Sequence, residues 1–155
     1  DMKSRNAISQ KEVDQIINAS IVCHIGMIDK EGLPYVIPFN FAYKDGRLFI
    51  HSAPEGKKID AWKINPNVCV AFSTDYKMRI QSETVACSYS MKYRSVLIHG
   101  EVFDIPNFDD KIDVLNFVME KYAGKSDFTY SKPAVENVKV MEIKINRIEG
   151  RIYGY

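Results

Sequence analysis

The residues of this chain best suited to chemistry lie in one short segment. His51 ends an apolar run, and a loop containing Ser52 and Gly56 follows it. Lys57 and Lys58 then stand where a short helix is predicted to begin. The first amide groups of a helix lack intrahelical acceptors, and two ammonium groups beside them favour a phosphate or another anion. A Gly-Lys-Lys turn is more often a solvated loop, and the segment contains no Walker-type or G-x-G-x-x-G motif, so both interpretations stay open.

The histidines and cysteines give few alternatives to that segment. His51 lies at a predicted strand end, where it could reach into a cleft or serve only packing, whereas His24 and His99 lie inside predicted strands. The cysteines Cys23, Cys69 and Cys87 fall in β-like runs without close pairing, so we expect reduced, buried thiols in a cytosol-like compartment. No Cys-x-x-Cys or His-x-x-x-His spacing occurs, so no structural zinc site is expected.

Length and charge narrow the class of protein. A chain of 155 residues fits one domain with a sizeable core, over residues 1–155. A formal net charge of +1 argues against a nucleic-acid surface built on bulk charge. No apolar run approaches the ~20 residues of a membrane span, and the amino terminus lacks the apolar region of a signal peptide. We therefore expect a cytoplasmic protein without nucleic-acid or membrane partners.

The spacing of apolar residues and the helix-capping residues predict which helices and strands carry these candidates. Ser9 and Glu12 form a capping box that predicts a helix over residues 10–19. Asn107 and Gly124 suit the two ends of a second helix over 108–123, and Gly100 predicts a bulge or close approach in a strand. Strands are predicted at 21–28, 35–43, 48–52, 68–72, 84–90, 93–105 and 139–145, and the last is extended or returned by 148–155. Residues 76–83 are interpreted as a loop or strand edge. Residues 125–137 are interpreted as a connection with at most a turn of helix.

The order of these elements indicates the fold class. The runs 35–43 and 48–52 flank the turn Lys44-Asp45-Gly46, which predicts a β-hairpin. Six or so short strands joined by tight turns favour an antiparallel sheet closed into a small barrel. About two helices are too few to cover both faces of a parallel sheet. We predict a mainly β protein with peripheral helices.

Several segments together resemble a known family. They are Tyr35-Val36-Ile37-Pro38-Phe39-Asn40-Phe41, Leu48-Phe49-Ile50-His51-Ser52-Ala53, the Gly56-Lys57-Lys58 turn, Asn65-Pro66-x-Val68 and Tyr93-Arg94-Ser95-Val96-Leu97-Ile98-His99-Gly100-Glu101. Over roughly residues 8–150, their order resembles the pyridoxamine 5′-phosphate oxidase-like, FMN-binding split-barrel family, and most closely its nitroimidazole-resistance branch. That resemblance implies a six-stranded antiparallel Greek-key split barrel with a few flanking helices, assembled as a homodimer with flavin at the interface.

The resemblance also implies roles for particular residues. The strand matching Val36, Ile37, Pro38, Phe39 and Asn40 would lie along the flavin ring of FMN. The residues matching His51 and Ser52 would lie near its ribityl-phosphate end, with His51 a candidate catalytic contact. Lys57 and Lys58 would hold the phosphate, and Ser95 would contact FMN from the other subunit. The anion site indicated by spacing would thereby acquire a ligand.

The expected function follows from these roles and from two departures. The family's oxidases of pyridoxamine phosphate carry an arginine-and-histidine-rich carboxyl-terminal signature, which the segment 146–155 does not match, and Asn40 stands where some members have a cation. We expect an FMN-dependent oxidoreductase that reduces a small acceptor such as a nitroaromatic or a quinone-like molecule. The alternatives are a non-enzymatic flavin or small-ligand binder, a related enzyme of other specificity, and a barrel without ligand.

Overall fold

The computed structural model describes residues 3–155. Its strands are β1 Ser4–Arg5, β2 Cys23–Ile28, β3 Pro34–Phe39, β4 Ala42–Lys44, β5 Arg47–Ser52, β6 Asn67–Ile80, β7 Tyr89–Asp104 and β8 Lys139–Tyr153. Its α-helices are α1 Gln10–Ala19, α2 Lys57–Ile64, α3 Phe108–Ala123 and α4 Lys132–Asn137. The strands form one antiparallel sheet in the order β3-β2-β6-β7-β8-β5-β4, with β1 paired to β8. The mainly β fold with flanking helices is confirmed, although the described residues form eight strands where the resemblance implied a six-stranded barrel.

The local signals for helices are accurate. The side chain of Ser9 accepts a hydrogen bond from the backbone N–H of Glu12, and the Glu12 carboxylate accepts one from the Ser9 backbone. Asn107 caps the start of α3, and Gly124 ends it in the left-handed conformation at φ 73°. α1 buries Val13, Ile16 and Ile17 in the barrel core, so its capped helix closes one end of that core.

The predicted hairpin strand over 35–43 is two strands. β3 pairs with β2, whereas β4 pairs with β5 across a two-residue turn in which Asp45 and Gly46 have φ of 51° and 74°. Two positive φ values are typical of a type I′ turn, so the predicted turn is correct. The break falls at Asn40 and Phe41; the Phe41 side chain is buried, and its backbone N–H donates to the Tyr122 hydroxyl at 3.2 Å.

β6 and β7 are longer than the sequence analysis predicted. β6 continues to Ile80, so much of the segment 76–83, interpreted as a loop or strand edge, is paired strand. The strand predicted over 84–90 is wrong, because a 3₁₀ turn occupies Ala86–Ser88 and β7 begins only at Tyr89. Ser88 stabilises that turn by donating its hydroxyl to the carbonyls of Ser82 and Val85. A side chain folded back onto the backbone in this way competes with strand pairing.

Two clusters of apolar side chains lie on opposite sides of β5. Leu48 and Ile50 face the main barrel core, whereas Phe49 packs with α3 in a second cluster that includes Val114 and Val118. Because both faces of β5 are buried, the strand that ends in His51 is fixed from two sides. This rigid strand carries the site residues described below.

β8 runs unbroken along both β7 and β5. It extends from Lys139 to Tyr153, so the segment after residue 148 extends the strand instead of returning it. The register of β7 and β8 shifts at Gly100, where an added Cβ would lie 2.2 Å from the Lys144 carbonyl oxygen. The predicted close approach at Gly100 is therefore confirmed.

The cysteines differ in environment. All are free thiols, but only Cys23 is fully buried, and burial raises its pKa to about 12. Cys69 is half-buried, and Cys87 is exposed within the 3₁₀ turn, so the expectation of three buried thiols is wrong. Among residues 3–155, no helix has the length and apolar character needed to cross a bilayer.

Candidate functional site

A cleft between β3, the end of β5, α2 and the end of α4 brings together most of the predicted site residues. Its volume is about 510 Å³. It is lined by Ile37, Pro38, Phe39, His51, Ser52, Ala53, Lys58, Asn137 and Val138. β3 supplies an apolar wall, whereas β5 and α2 supply the polar and charged groups. The structure therefore joins segments that are separate in sequence into one amphipathic concavity.

The end of β5 supplies His51 and Ser52. Antiparallel pairing places His51 opposite Val140 and Ser52 opposite Lys139 of β8. Burial lowers the pKa of His51, which favours the neutral imidazole at pH 7 with one donor and one acceptor nitrogen. The Ser52 hydroxyl donates to the Ala53 carbonyl at 2.8 Å, which leaves its oxygen lone pairs toward other partners.

The first turn of α2 lies at the charged end of the cleft. Gly56 precedes the helix at φ 138°, a conformation that L side chains rarely adopt, and among residues 3–155 no side chain caps the helix amides. Lys58 lines the cleft, with its ammonium 5.7 Å from the centre of the Phe39 ring. Uncapped amides and an ammonium group on the first turn can hold an anion.

The two lysines do not lie in the same place. Lys57 has its ammonium 4.2 Å from the centre of the Tyr35 ring and 3.8 Å from the buried carboxylate of Asp29. Successive helix residues point about 100° apart, which follows from 3.6 residues per turn. In this structure Lys58 lines the cleft and Lys57 contacts the β2–β3 turn, and the role of both lysines toward one phosphate stays a prediction.

The remaining predicted residues lie outside the cleft lining. Val36 is 63% exposed on the side of β3 that faces away from the core, and Asn40 is exposed in the break between β3 and β4. Ser95 lines a separate, larger cleft of about 760 Å³ beside the segment before α1, and its hydroxyl donates to the Arg151 carbonyl at 3.3 Å. That larger cleft has one of the predicted site residues, whereas the 510 Å³ cleft has six. The role of Ser95 toward another subunit stays a prediction.

Two residues of the cleft lining, Asn137 and Val138, were not predicted from the sequence. They end α4, a short helix in a polar segment interpreted as a connection. The Ser52–Lys139 pairing brings them to the cleft across 85 residues of chain, which no local motif indicates. The only sequence signal was the strand beginning at Lys139, whose partner could not be known in advance.

Comparisons with known proteins match this architecture. A family model described as pyridoxamine 5′-phosphate oxidase matches residues 9–152. A solved structure of a candidate 5-nitroimidazole antibiotic resistance protein from Bacteroides thetaiotaomicron VPI-5482 is 37% identical in sequence. It superimposes with a TM-score of 0.86, covering 99% of this chain and 90% of that chain. No curated protein sequence matches the chain.

More distant structures share the fold. The flavocytochrome Anf3 from Azotobacter vinelandii has a TM-score of 0.79 at 19% identity, covering 96% of this chain and 68% of that chain. An FAD-binding protein from Mesorhizobium loti has a TM-score of 0.65 at 24% identity, covering 97% of this chain and 96% of that chain. At such identities, the likeness shows the architecture alone.

Proposed function

The chain belongs to the pyridoxamine 5′-phosphate oxidase family, and we propose that it binds FMN in the 510 Å³ cleft and passes reducing equivalents to a small acceptor such as a nitroaromatic. The family resemblance predicted from the sequence is thus confirmed, together with its split-barrel fold class. The observation that carries the proposal is the convergence of the β3 wall, His51, Ser52 and Lys58 on one cleft. Three free thiols are in keeping with a cytoplasmic location.

The chemistry of the cleft fits FMN at both ends of that molecule. Ile37, Pro38 and Phe39 give an apolar wall suited to a planar ring, and the β3 backbone can hydrogen-bond its polar edge. Lys58 and the uncapped amides of α2 give donors suited to a dianionic phosphate. Charge-assisted hydrogen bonds of this kind contribute roughly 1.5–3 kcal/mol each. When bound, the flavin would supply the redox chemistry.

Lys57 and Lys58 have different roles in this proposal. Lys58 binds the phosphate directly. Lys57 holds the first turn of α2 against Asp29, whose carboxylate also accepts hydrogen bonds from the backbone N–H groups of Glu31 and Leu33. Lys57 therefore positions the uncapped amides and contributes less to the affinity for FMN than Lys58 does.

His51 is proposed as a neutral hydrogen-bonding contact to the flavin or the acceptor. Its lowered pKa keeps the imidazole uncharged near neutral pH, so its cationic form adds little to phosphate binding. Replacement by Phe would remove both ring nitrogens while keeping an aromatic side chain of similar breadth. We expect that change to affect turnover more than retention of FMN.

The homodimer is proposed to form through the outer face of the sheet, which we define as the side of β2, β6 and β7 that faces away from the core. This face includes the small side chains of Gly26, Cys69, Ala71, Ser73 and Ser95, together with Leu97, all of them half-buried or exposed. Such a flat, partly apolar surface suits a two-fold contact in which the same patch meets itself. Val36 and Pro38 lie at the β3 edge of this face, next to the cleft.

The first test is the flavin content of the purified protein. The proposal predicts a yellow protein with flavin absorbance, whose released cofactor is FMN. Lys58→Ala should weaken FMN binding at least tenfold, which corresponds to about 1.4 kcal/mol, and Lys57→Ala should weaken it less. Lys63→Ala is the matched control, because Lys63 lies on α2 but lines a different cavity beside Trp62. An unchanged affinity in Lys58→Ala would contradict the assigned phosphate site.

A second test separates an enzyme from a binding protein. The FMN-loaded protein is mixed with a nitro compound and either reduced nicotinamide or a chemical reductant. Multiple turnovers that His51→Phe slows at unchanged FMN occupancy support the oxidoreductase. Stoichiometric binding without turnover supports the flavin binder instead.

A further inference from the structure

Lys111 makes an unusual set of contacts for a surface lysine. It lies near the start of α3, and its ammonium donates hydrogen bonds to the carbonyls of Val135 at 3.2 Å, Glu136 at 3.3 Å and Val138 at 2.9 Å. An ammonium group has three donors, so this side chain uses all of them on one short stretch of backbone. The carbonyls at a helix end have no intrahelical partners. Lys111 therefore satisfies the carboxyl end of α4.

These carbonyls flank Asn137, which lines the cleft. The acceptors lie on both sides of Asn137 in the chain, so Lys111 fixes the backbone position from which the Asn137 side chain projects. Ser52 pairs with Lys139, so Asn137 lies beside the Ser52–Ala53 end of the cleft. The exposed carboxamide of Asn137 offers a donor and an acceptor to a bound molecule.

Other contacts show that α4 depends on α3 for its placement. Its core anchor is Val135, the one buried residue of the helix. The Tyr130 hydroxyl, just before α4, donates to the Asn116 side chain of α3 at 2.8 Å. A helix of six residues is too short to be stable by itself, so these contacts decide where it lies.

We propose that Asn137 binds the polar, phosphate-bearing end of the cleft's ligand, and that Lys111 acts as the positioning residue that holds Asn137 there. This inference rests on the proposed function, because it takes FMN as the ligand. It assigns a second wall to the site, contributed by the end of α4. Lys111 itself does not touch the ligand.

The test combines FMN affinity with a double-mutant cycle. Asn137→Ala should weaken FMN binding by roughly tenfold or more, the loss expected for a hydrogen bond to a charged phosphate. Lys111→Met keeps the aliphatic stem, removes the donors and should weaken binding by a similar factor. In the Asn137→Ala background, Lys111→Met should cost less than about twofold more, because both changes remove the same contact. Lys111→Arg, which keeps cationic donors, should restore most of the affinity.

A second readout does not depend on flavin. Amide hydrogen exchange over residues 131–139 should be faster in Lys111→Met than in the wild type, and unchanged in Asn137→Ala. Lys132→Met is the matched control on α4, because that lysine is 77% exposed and forms an ion pair with Glu136 on its own helix, at 3.8 Å. It should change neither FMN affinity nor exchange.

Each outcome has a definite meaning. Additive losses in the cycle, or an Asn137→Ala protein with wild-type FMN affinity, would overturn the inference while leaving the proposed function intact. If Lys111→Met does not fold, Asn137→Ala and Lys111→Arg still decide it. Wild-type protein that binds no FMN would instead refute the proposed function, and this inference with it.

Discussion

β6 and β7 each contain two halves. In both halves apolar side chains alternate with other residues, but the apolar side chains are buried in one half and exposed in the other. In the barrel half, Phe72 and Ile98 point into the core and are almost fully buried. In the projecting half, which we call the ribbon (residues 77–80 and 89–92), the apolar side chains are exposed. Tyr76, which immediately precedes it, extends the same stripe. The stripe comprises Tyr76, Met78, Ile80, Tyr89 and Met91, at 40% to 61% exposure.

The ribbon has one apolar face and one charged face, a pattern typical of a strand pair that is covered on its apolar side. Met78 pairs with Met91 and Ile80 with Tyr89, whereas Lys77 pairs with Lys92 on the opposite side. A two-stranded ribbon is at best marginally stable in water without a third layer. Odd-numbered positions of β7 continue from this stripe onto the outer face of the sheet. The barrel half is completed within the chain, whereas the apolar stripe of the ribbon is exposed; in our proposal, a second copy of the chain covers it.

The largest effect is expected from paired truncations of the two halves. Phe72→Ala removes a buried ring that packs edge-on against Phe41, with centroids 5.0 Å apart, and should cost about 3–5 kcal/mol in the free energy of unfolding. Met78→Ala in the ribbon should cost less than about 0.5 kcal/mol in the isolated monomer. Chemical denaturation at low protein concentration measures both. Equal losses would erase the distinction between the halves.

The next effect tests the far end of β7. Gly100→Ala places a Cβ within 2.2 Å of a backbone oxygen of β8, which cannot move as a flexible side chain could. We expect a loss of about 1–3 kcal/mol in the free energy of unfolding, typical of overpacking. Gly26→Ala is the matched control in the same sheet, because its Cβ would meet the Cys69 carbonyl oxygen at an ordinary 3.5 Å. A neutral Gly100→Ala would mean that the bulge can relax.

Local signals predicted what depends on nearby residues. The capping box at Ser9, the end of α3 at Gly124 and the turn at Asp45-Gly46 each involve contacts within a few residues, and each is present. The continuation of β6 was missed although Tyr76 to Ile80 alternates apolar and charged residues. Residues 76–83 were interpreted as a loop or strand edge, and in the structure the apolar side chains of this alternation are exposed.

The same distinction between nearby and distant contacts applies to the residues of the candidate site. Residues close together in sequence, such as His51, Ser52 and Lys58, could be grouped from the order of strand, loop and helix. Asn137 could not, because it reaches the cleft only through the pairing of β5 with β8. The separation of Lys57 from Lys58 follows from helix geometry, but the sequence does not show which helix face meets the cleft.

A smaller effect, on association, tests the ribbon's proposed partner. The double change Met78→Lys with Met91→Glu charges the apolar stripe while keeping opposite charges across the strand pair, so the ribbon can stay paired. We expect dimer dissociation to be at least tenfold easier, with monomer stability unchanged, as measured by sedimentation. The control is Arg79→Ser, on the ribbon's other side. An unchanged dimer would remove the ribbon from the interface, and a monomeric wild type would refute the homodimer.

The smallest effect concerns the junction between the two halves. There Asp75 adopts φ 59° at the irregularity of β6 and pairs with Arg94 at 2.7 Å, and the Tyr155 hydroxyl donates to the Asp75 carbonyl at 2.6 Å. The Arg94 guanidinium also lies 3.8 Å from the centre of the Tyr155 ring. Exposed ion pairs and cation–π contacts of this kind each contribute up to about 1 kcal/mol.

Removing the contacts of Arg94 with Asp75 and Tyr155 should therefore loosen the ribbon without unfolding the barrel. For Arg94→Ala we expect a loss of less than about 1 kcal/mol in the free energy of unfolding, but faster amide exchange over residues 77–92. Lys92→Ala is the matched control, because its ammonium lies 4.2 Å from the same ring and makes no ion pair with Asp75. If Arg94→Ala also accelerates exchange in the barrel half, around residues 68–72, then the two halves unfold as one unit and their contrast is one of exposure alone.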